Sequence, residues 1–303
     1  MLWNVFTLSF LPLLWSCESS GPSGAKGYLL GWNHEGIVAL SVDTGNQSIL
    51  VPQDESHWFT SPAYDVNSQS LYFVDEKLGR IMQWRGSDTE AKSLCELPAN
   101  IRGKRIHWLV PRADGRTLIF PAASGEAPPK IMELDCATGT LRELLGIKCF
   151  AAEPVAETDE SHLLVPSIDD AVGGPGYNLT EINIRDKSRR TLLSLNPGKA
   201  FRLFNDKKHI AVMDNGGNVD TYDLESTKLT QHSSVHNLPG YIDTSRWCTV
   251  GDHVIALARI RDAMLPPAGT YLFDLQTGQG TKLASSVMFD MKFLSECRWR
   301  TIK

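Results

Sequence analysis

No uninterrupted apolar segment of the sequence reaches the roughly 20 residues that a membrane-spanning helix needs. Runs of five or more like charges are also missing. The formal net charge of -5 comes from 30 Lys and Arg against 35 Asp and Glu with both signs interspersed, so the polycationic stripe that would hold nucleic acid is excluded. The six cysteines contain no C-x-x-C pair, which removes a zinc knuckle and a thioredoxin-like redox site. Also lacking are the G-x-S-x-G elbow, the phosphate-cradling G-x-x-x-x-G-K loop, H-E-x-x-H, and a G-x-G-x-x-G turn after a strand. No catalytic residue, metal ligand or cofactor is therefore assigned. The chain is expected to bind rather than to react.

What is present begins with an apolar stretch, Leu2 to Trp15, interrupted by Asn4, Thr7, Ser9 and Pro12. It has the length of a secretory signal core but carries no Lys or Arg. It ends Leu14-Trp15-Ser16-Cys17 and runs into a Gly/Ser-rich segment, Glu18 to Lys26. This end resembles a bacterial lipoprotein signal, in which a Leu three residues before the Cys and a small residue just before it precede lipid attachment. The resemblance implies residues 1–17 as signal, Cys17 as lipid-attachment site, 18–26 as linker and 27–303 as the folded domain. It also implies an exported, periplasmic or cell-envelope location, with the membrane touched only through the lipid. The other five cysteines are read as small apolar residues packed in strands, with a Cys248–Cys297 pair on neighbouring inner strands the alternative.

From Gly27 onward, short runs rich in Val, Ile, Leu, Tyr and Phe alternate with Gly, Asp, Asn, Ser and Pro, the pattern of strands and turns. A hairpin with a D-x-x-T-G turn recurs, as Asp135-Cys-Ala-Thr138-Gly139 and Asp274-Leu-Gln-Thr277-Gly278, with degenerate copies elsewhere. Asp accepts backbone hydrogen bonds from residues just ahead, and Gly supplies the positive φ that reverses the chain. The turn-opening residues Ser41, Arg85, Asp135, Asn183, Asp223 and Asp274 are spaced by 40 to 51 residues, the period of a four-stranded propeller blade. The expected fold is all-β: a six-bladed β-propeller closed by a C-terminal strand (Val287 to Trp299) in the first blade, with seven blades the alternative. The copy Ala113-Asp114-Gly115-Arg116-Thr117-Leu118-Ile119-Phe120 through Asp135 to Leu145 resembles the WD40-like repeats of periplasmic TolB-type propellers.

In such a ring the loops entering the innermost strands converge on one mouth of the channel. They carry His57, Trp58, His107, Trp108, Glu153, Arg202, Asp243 and Arg246, the candidate binding residues. Trp58, Trp108, Phe150 and Phe201 are alternatively wedges between blades. Long loops at Gly173 to Gly176, Ala263 to Gly269 and Gly125 to Pro129 are expected on the same mouth. The implied role is a binding or scaffold module for a protein or glycan partner. The alternative is a metal-dependent lyase or hydrolase in which His57 or His107 acts with Glu153 and Asp243. His232 and His236 have ligand-like spacing but no carboxylate beside them in sequence.

Overall fold

The computed structural model describes residues 26–86, 88–104, 106–122, 129–149, 156–157, 159, 161–168, 177–195, 199–204, 206–214, 216–235, 247–251, 254–259 and 269–294. Cys17 and the other residues up to 25 lie outside this set, as do Phe150, Glu153, Asp243, Arg246, His236, Cys297, residues 173–176 and 263–268, and most of 125–129.

Among the described residues the chain forms 24 β-strands in six four-stranded antiparallel sheets. The first sheet holds β1 (Tyr28–Asn33), β2 (Gly36–Ser41) and β3 (Gln47–Pro52), with β24 (Phe289–Leu294) hydrogen-bonded to β1 on the other side. The second runs from β4 (Phe59–Asp65) through β5 (Ser70–Asp75) and β6 (Arg80–Arg85) to β7 (Lys92–Glu96). The third runs from β8 (Val110–Pro111) through β9 (Thr117–Ala122) and β10 (Lys130–Asp135) to β11 (Thr140–Lys148). The fourth contains β12 (Ala156–Glu157), β13 (His162–Ser167), β14 (Tyr177–Asn183) and β15 (Arg189–Leu195). The fifth contains β16 (Lys199–Leu203), β17 (His209–Asp214), β18 (Asn218–Asp223) and β19 (Leu229–Ser234). The sixth contains β20 (Trp247–Val250), β21 (Val254–Arg259), β22 (Gly269–Asp274) and β23 (Gln279–Ala284). The architecture is a six-bladed β-propeller.

The packing follows from the two-residue period of a strand. In β5, Leu71 and Phe73 join a cluster with Trp32, Ile37 and Ala39 of blade one, whereas Tyr72 and Val74 join Leu118 and Phe120 of blade three. The same alternation repeats around the ring: Ile119 against Leu163 of blade four, Leu164 against Phe201 and Ile210 of blade five, Ala211 against Trp247 and Ile255 of blade six, and Ala256 against Leu29 of blade one. Each cluster therefore belongs to one junction between blades. Both faces of every second strand are apolar, which is why these strands read as continuous hydrophobic runs.

The turn-opening residues occupy one structural position. Ser41, Arg85, Asp135, Asn183, Asp223 and Asp274 end the third strand of their blades, paired with the first residue of the second strand. The Asp135 carboxylate accepts from the Ala137 N–H at 2.8 Å, and that of Asp274 from Gln276 and Thr277 at 2.8 and 3.0 Å. Four residues past the opener, Gly45, Gly139 and Gly278 sit at φ near +70°. Lys187 and Thr227 hold the same place at φ 61° and 56°, so the degenerate copies keep the turn at the expense of the side chain.

Cys95 in β7 is disulfide-bonded to Cys136 beyond β10, joining the outer edge of blade two to blade three. Cys248 is a buried free thiol that packs among Leu272, Met288 and Met291 beside Arg202; the pairing expected with Cys297 falls on a residue outside the described set.

Thr227 is β-branched in the left-handed region, where an L side chain costs about 1–2 kcal/mol and glycine nothing comparable. Thr227→Gly is expected to stabilise the domain by about 1 kcal/mol in urea denaturation, after the added flexibility of the unfolded chain is subtracted. A lower unfolding midpoint would contradict the turn geometry.

Candidate functional site

The innermost strands carry the site, and their register defines it. The residue opposite the third position of the second strand is Lys292 in blade one, Ala63 in blade two, Val110 in blade three, Ala156 in blade four, Arg202 in blade five and Cys248 in blade six. This ring of equivalent positions holds two long cations on either side of blade six, and short or apolar residues elsewhere. Space is therefore left in the channel, and a cavity of about 460 Å³ occupies it.

Ala63, Trp108, Arg202, Cys248, Met291 and Lys292 line the inner end of the cavity; Asp65, Val66, Asn67, Pro111, Lys207 and Phe293 line it toward the ends of the inner strands. Val66, at the rim, is 56% exposed. The cavity thus opens on the mouth where inner strands leave the channel. That is the mouth opposite to the one formed by the loops that enter them, since His57 and Asn67 flank the two ends of β4.

Trp108, from the blade opposite blade six, organises the inner end of the cavity. Its ring is 3% exposed in sum with its backbone, and the Arg202 guanidinium carbon lies 5.2 Å from its centroid and the Lys292 Nζ 5.4 Å. Arg202 also lies 4.9 Å from the Trp247 ring centroid, and it donates from Nε to the Trp247 carbonyl at 2.8 Å and from Nη1 to the Phe201 carbonyl at 2.7 Å. Lys292 donates to the Leu109 carbonyl at 2.9 Å. Such cation–π contacts contribute on the order of 0.5–2 kcal/mol each when desolvated. Desolvation in the channel lowers the Lys292 ammonium from 10.5 to about 8, and the nearby Asp290 carboxylate works in the other direction. Cys248 sits beside Arg202, and burial pushes its thiol up to about 12 against the pull of that guanidinium.

Two bulges set which residues of β24 and β4 face the channel. The pairing of β24 with β1 shifts between Leu30 and Trp32, and that of β4 with β5 between Thr60 and Ala63. At the equivalent bulged positions Asp290 and Ser61 adopt φ 48° and 54°. Asp290, 4% exposed, accepts from Trp32 Nε1 at 2.7 Å, and the Ser61 hydroxyl donates to the Ile106 carbonyl of the next blade. Gly31 faces the first bulge; a Cβ there would stand 2.9 Å from the Phe289 carbonyl oxygen, so the close approach requires glycine.

The residues singled out from sequence are divided by this geometry. Trp108 and Arg202 meet in the channel; Lys292 joins them and was not among the candidates, because the bulge at Asp290 decides which residues of the expected closing strand face inward. His57 is elsewhere: its Nδ1 lies 2.6 Å from Oδ2 of the fully buried Asp75, and its ring stacks on Phe59 at 5.2 Å. Asp75 also accepts from the N–H groups of Trp58 and Leu78, at 3.4 and 3.3 Å, so it fixes the turn at that end of blade two. Trp58 is 49% exposed and is not a wedge between blades, whereas Phe201 is fully buried at the junction of blades four and five. His107 is half-buried before β8. His232, paired with Asp220 at 2.6 Å, lies on outer strand β19. Among the described residues no three His, Cys, Asp or Glu side chains stand close enough to hold a metal ion.

Solved structures share this architecture. TolB from Acinetobacter baumannii superposes with a TM-score of 0.60 at 13% identity, over 84% of this chain and 62% of that one. The fold is that of a TolB-type propeller. An oligogalacturonate lyase in complex with manganese gives 0.52 at 14% identity, over 82% of this chain and 70% of the lyase. A functionally unknown protein from Desulfotomaculum acetoxidans gives 0.57 at 10% identity, over 88% and 98%. The chain spans about three-fifths of TolB. No protein-family profile matches the sequence, and no curated protein does. The likeness is one of fold, and this fold permits both binding and enzymatic roles.

The lowered Lys292 value carries a stability consequence. The ammonium is disfavoured in the folded state, so its cost is fully present below pH 8 and is relieved as pH rises from about 8 to the unfolded value of 10.5. Lys292→Met, which keeps the length and removes the charge, is expected to raise stability at pH 7 by on the order of 1–3 kcal/mol. The gain should shrink toward pH 10.5 in thermal melts; a variant less stable than wild type at pH 7 would show that Lys292 stabilises the channel.

Proposed function

We propose that this chain is an exported binding module whose channel receives part of a protein or glycan partner. The observation that supports it is the cavity of about 460 Å³, within the usual size of ligand sites, with aromatic and cationic groups at its inner end and the exposed Val66 at its rim. An aromatic wall with a few convergent polar groups is suited to orienting a bound segment. The channel is the part of a propeller where side chains from several blades reach one ligand, here Arg202, Cys248 and Lys292 of three successive blades beside Trp108.

Export follows from the Leu14-Trp15-Ser16-Cys17 end of the apolar leader, and the Cys95–Cys136 bond suits an oxidising compartment. Cys17 would then carry lipid and tether the propeller to an envelope membrane by the linker 18–26.

A photoreactive residue placed at Val66 is expected to crosslink a discrete partner in the producing cell, whereas the same group at Leu229, 54% exposed on outer strand β19, should not. Equal labelling from both positions, or none from Val66, would remove the docking role from this mouth. Separately, Cys17→Ala should move the protein from the membrane to the soluble fraction. Unchanged fractionation would exclude the lipid tether.

A further inference from the structure

We propose that the inner end of the channel is a carboxylate site, in which Lys292, with Arg202 stacked on the same Trp108 ring, receives the terminal carboxylate of a ligand with an apolar body. The inference deepens the reading of this mouth as a docking site and rests on it.

The argument starts from the two cations. Arg202 and Lys292 occupy the same register position on different inner strands and both come within 5.2–5.4 Å of the Trp108 centroid. Two like charges are thus held together against one indole, Arg202 buried and Lys292 half-buried at the wall of the cavity. Lys292 has a carbonyl and an aromatic ring as its direct partners, and no carboxylate lies within salt-bridge distance of it among the described residues. The nearby Asp290 carboxylate is engaged by Trp32. Burial of an ammonium without a close counter-ion is destabilising, as its lowered pKa records. Side chains kept at a cost to stability and directed into a cavity are candidates for recognition.

The rest of the cavity narrows the class of anion. Val66, Val110, Phe204, Met291 and Phe293 present hydrocarbon beside the polar groups, which suits a body of CH₂ groups or an aromatic ring. A singly charged carboxylate also loses less hydration on entry than a doubly charged phosphate. The ligand is then an apolar-bodied carboxylic acid, either free or as the end of a peptide chain.

The test is calorimetric titration of the full domain at pH 7 with 3-phenylpropionate and with its uncharged amide. The acid is expected to bind at least tenfold more tightly, and Lys292→Met should abolish that preference. That variant is expected to fold, since it removes a destabilising charge; near-ultraviolet dichroism confirms it. A matched pair of acetylated Ala-Ala-Phe peptides, with free and amidated C-termini, separates the sources: tighter binding of the free-ended peptide than of 3-phenylpropionate assigns a chain end, and the reverse assigns a free acid. Equal binding of acid and amide, no binding of either acid, or a preference that survives Lys292→Met would overturn the carboxylate site. Crosslinking from Val66 together with any of those results would leave the docking role standing and this chemistry refuted, so the two failures are distinguishable.

Discussion

A blade of this propeller has no side that can face water. Its second strand sends alternate residues to the two neighbouring sheets, as Leu71 and Tyr72 do in blade two, so an isolated blade would expose an apolar surface on each face. Neighbours on both sides can be supplied indefinitely only by a ring. The last junction, where Val254 and Ala256 of blade six meet Leu29 and Val38 of blade one, is of the same chemistry as the others. Within blade one the innermost place is taken by β24, hydrogen-bonded to β1, so the two ends of the described chain are joined in one sheet. The disulfide between Cys95 and Cys136 adds a covalent link at the junction of blades two and three, and closing 41 residues in this way is worth about 4 kcal/mol in the chain-entropy picture.

The constraint explains which parts of the fold were legible in the sequence. Turn chemistry is local, so Asp135, Asp274 and their weaker equivalents could be aligned without any knowledge of packing, and all six openers fall at one register position. Even where Gly is replaced by Lys187 or Thr227, the left-handed backbone persists, because the neighbouring strands dictate the reversal. Inner strands are less legible. β8 is two residues long, β4 and β24 contain bulges, and a bulge displaces the inward-facing positions by one. Lys292 lies in Phe-Asp-Met-Lys-Phe, which alternates like any half-exposed strand. Only its pairing with Leu30 reveals that it occupies the same place as Arg202. Cys95 and Cys136 carried one usable signal: their separation of 41 residues is one repeat, so they fall on adjacent blades.

The two mouths of the channel differ in what fixes them. At the entry of β4, the buried Asp75 gathers the His57 ring and two backbone N–H groups, so its charge is spent on holding a turn. At the cavity end, Arg202 and Lys292 rest on aromatic rings and backbone carbonyls, which fix their position. His57 was a reasonable candidate by residue type. Its partner shows that polar residues at a channel mouth divide into those that build the rim and those that can still recognise something.

That division bears on why the channel is built as it is. Of the six equivalent positions, Ala63, Val110 and Cys248 take part in the junctions between blades, whereas Arg202 and Lys292 reach toward the Trp108 ring in the channel. An apolar residue in place of Lys292 would remove the cost of desolvating its ammonium. Lys292 is thus held against the Trp108 indole at a cost to stability, beside an Arg202 fixed by two backbone carbonyls. The ring can carry that cost because its folding energy resides mainly in the six apolar junctions between blades.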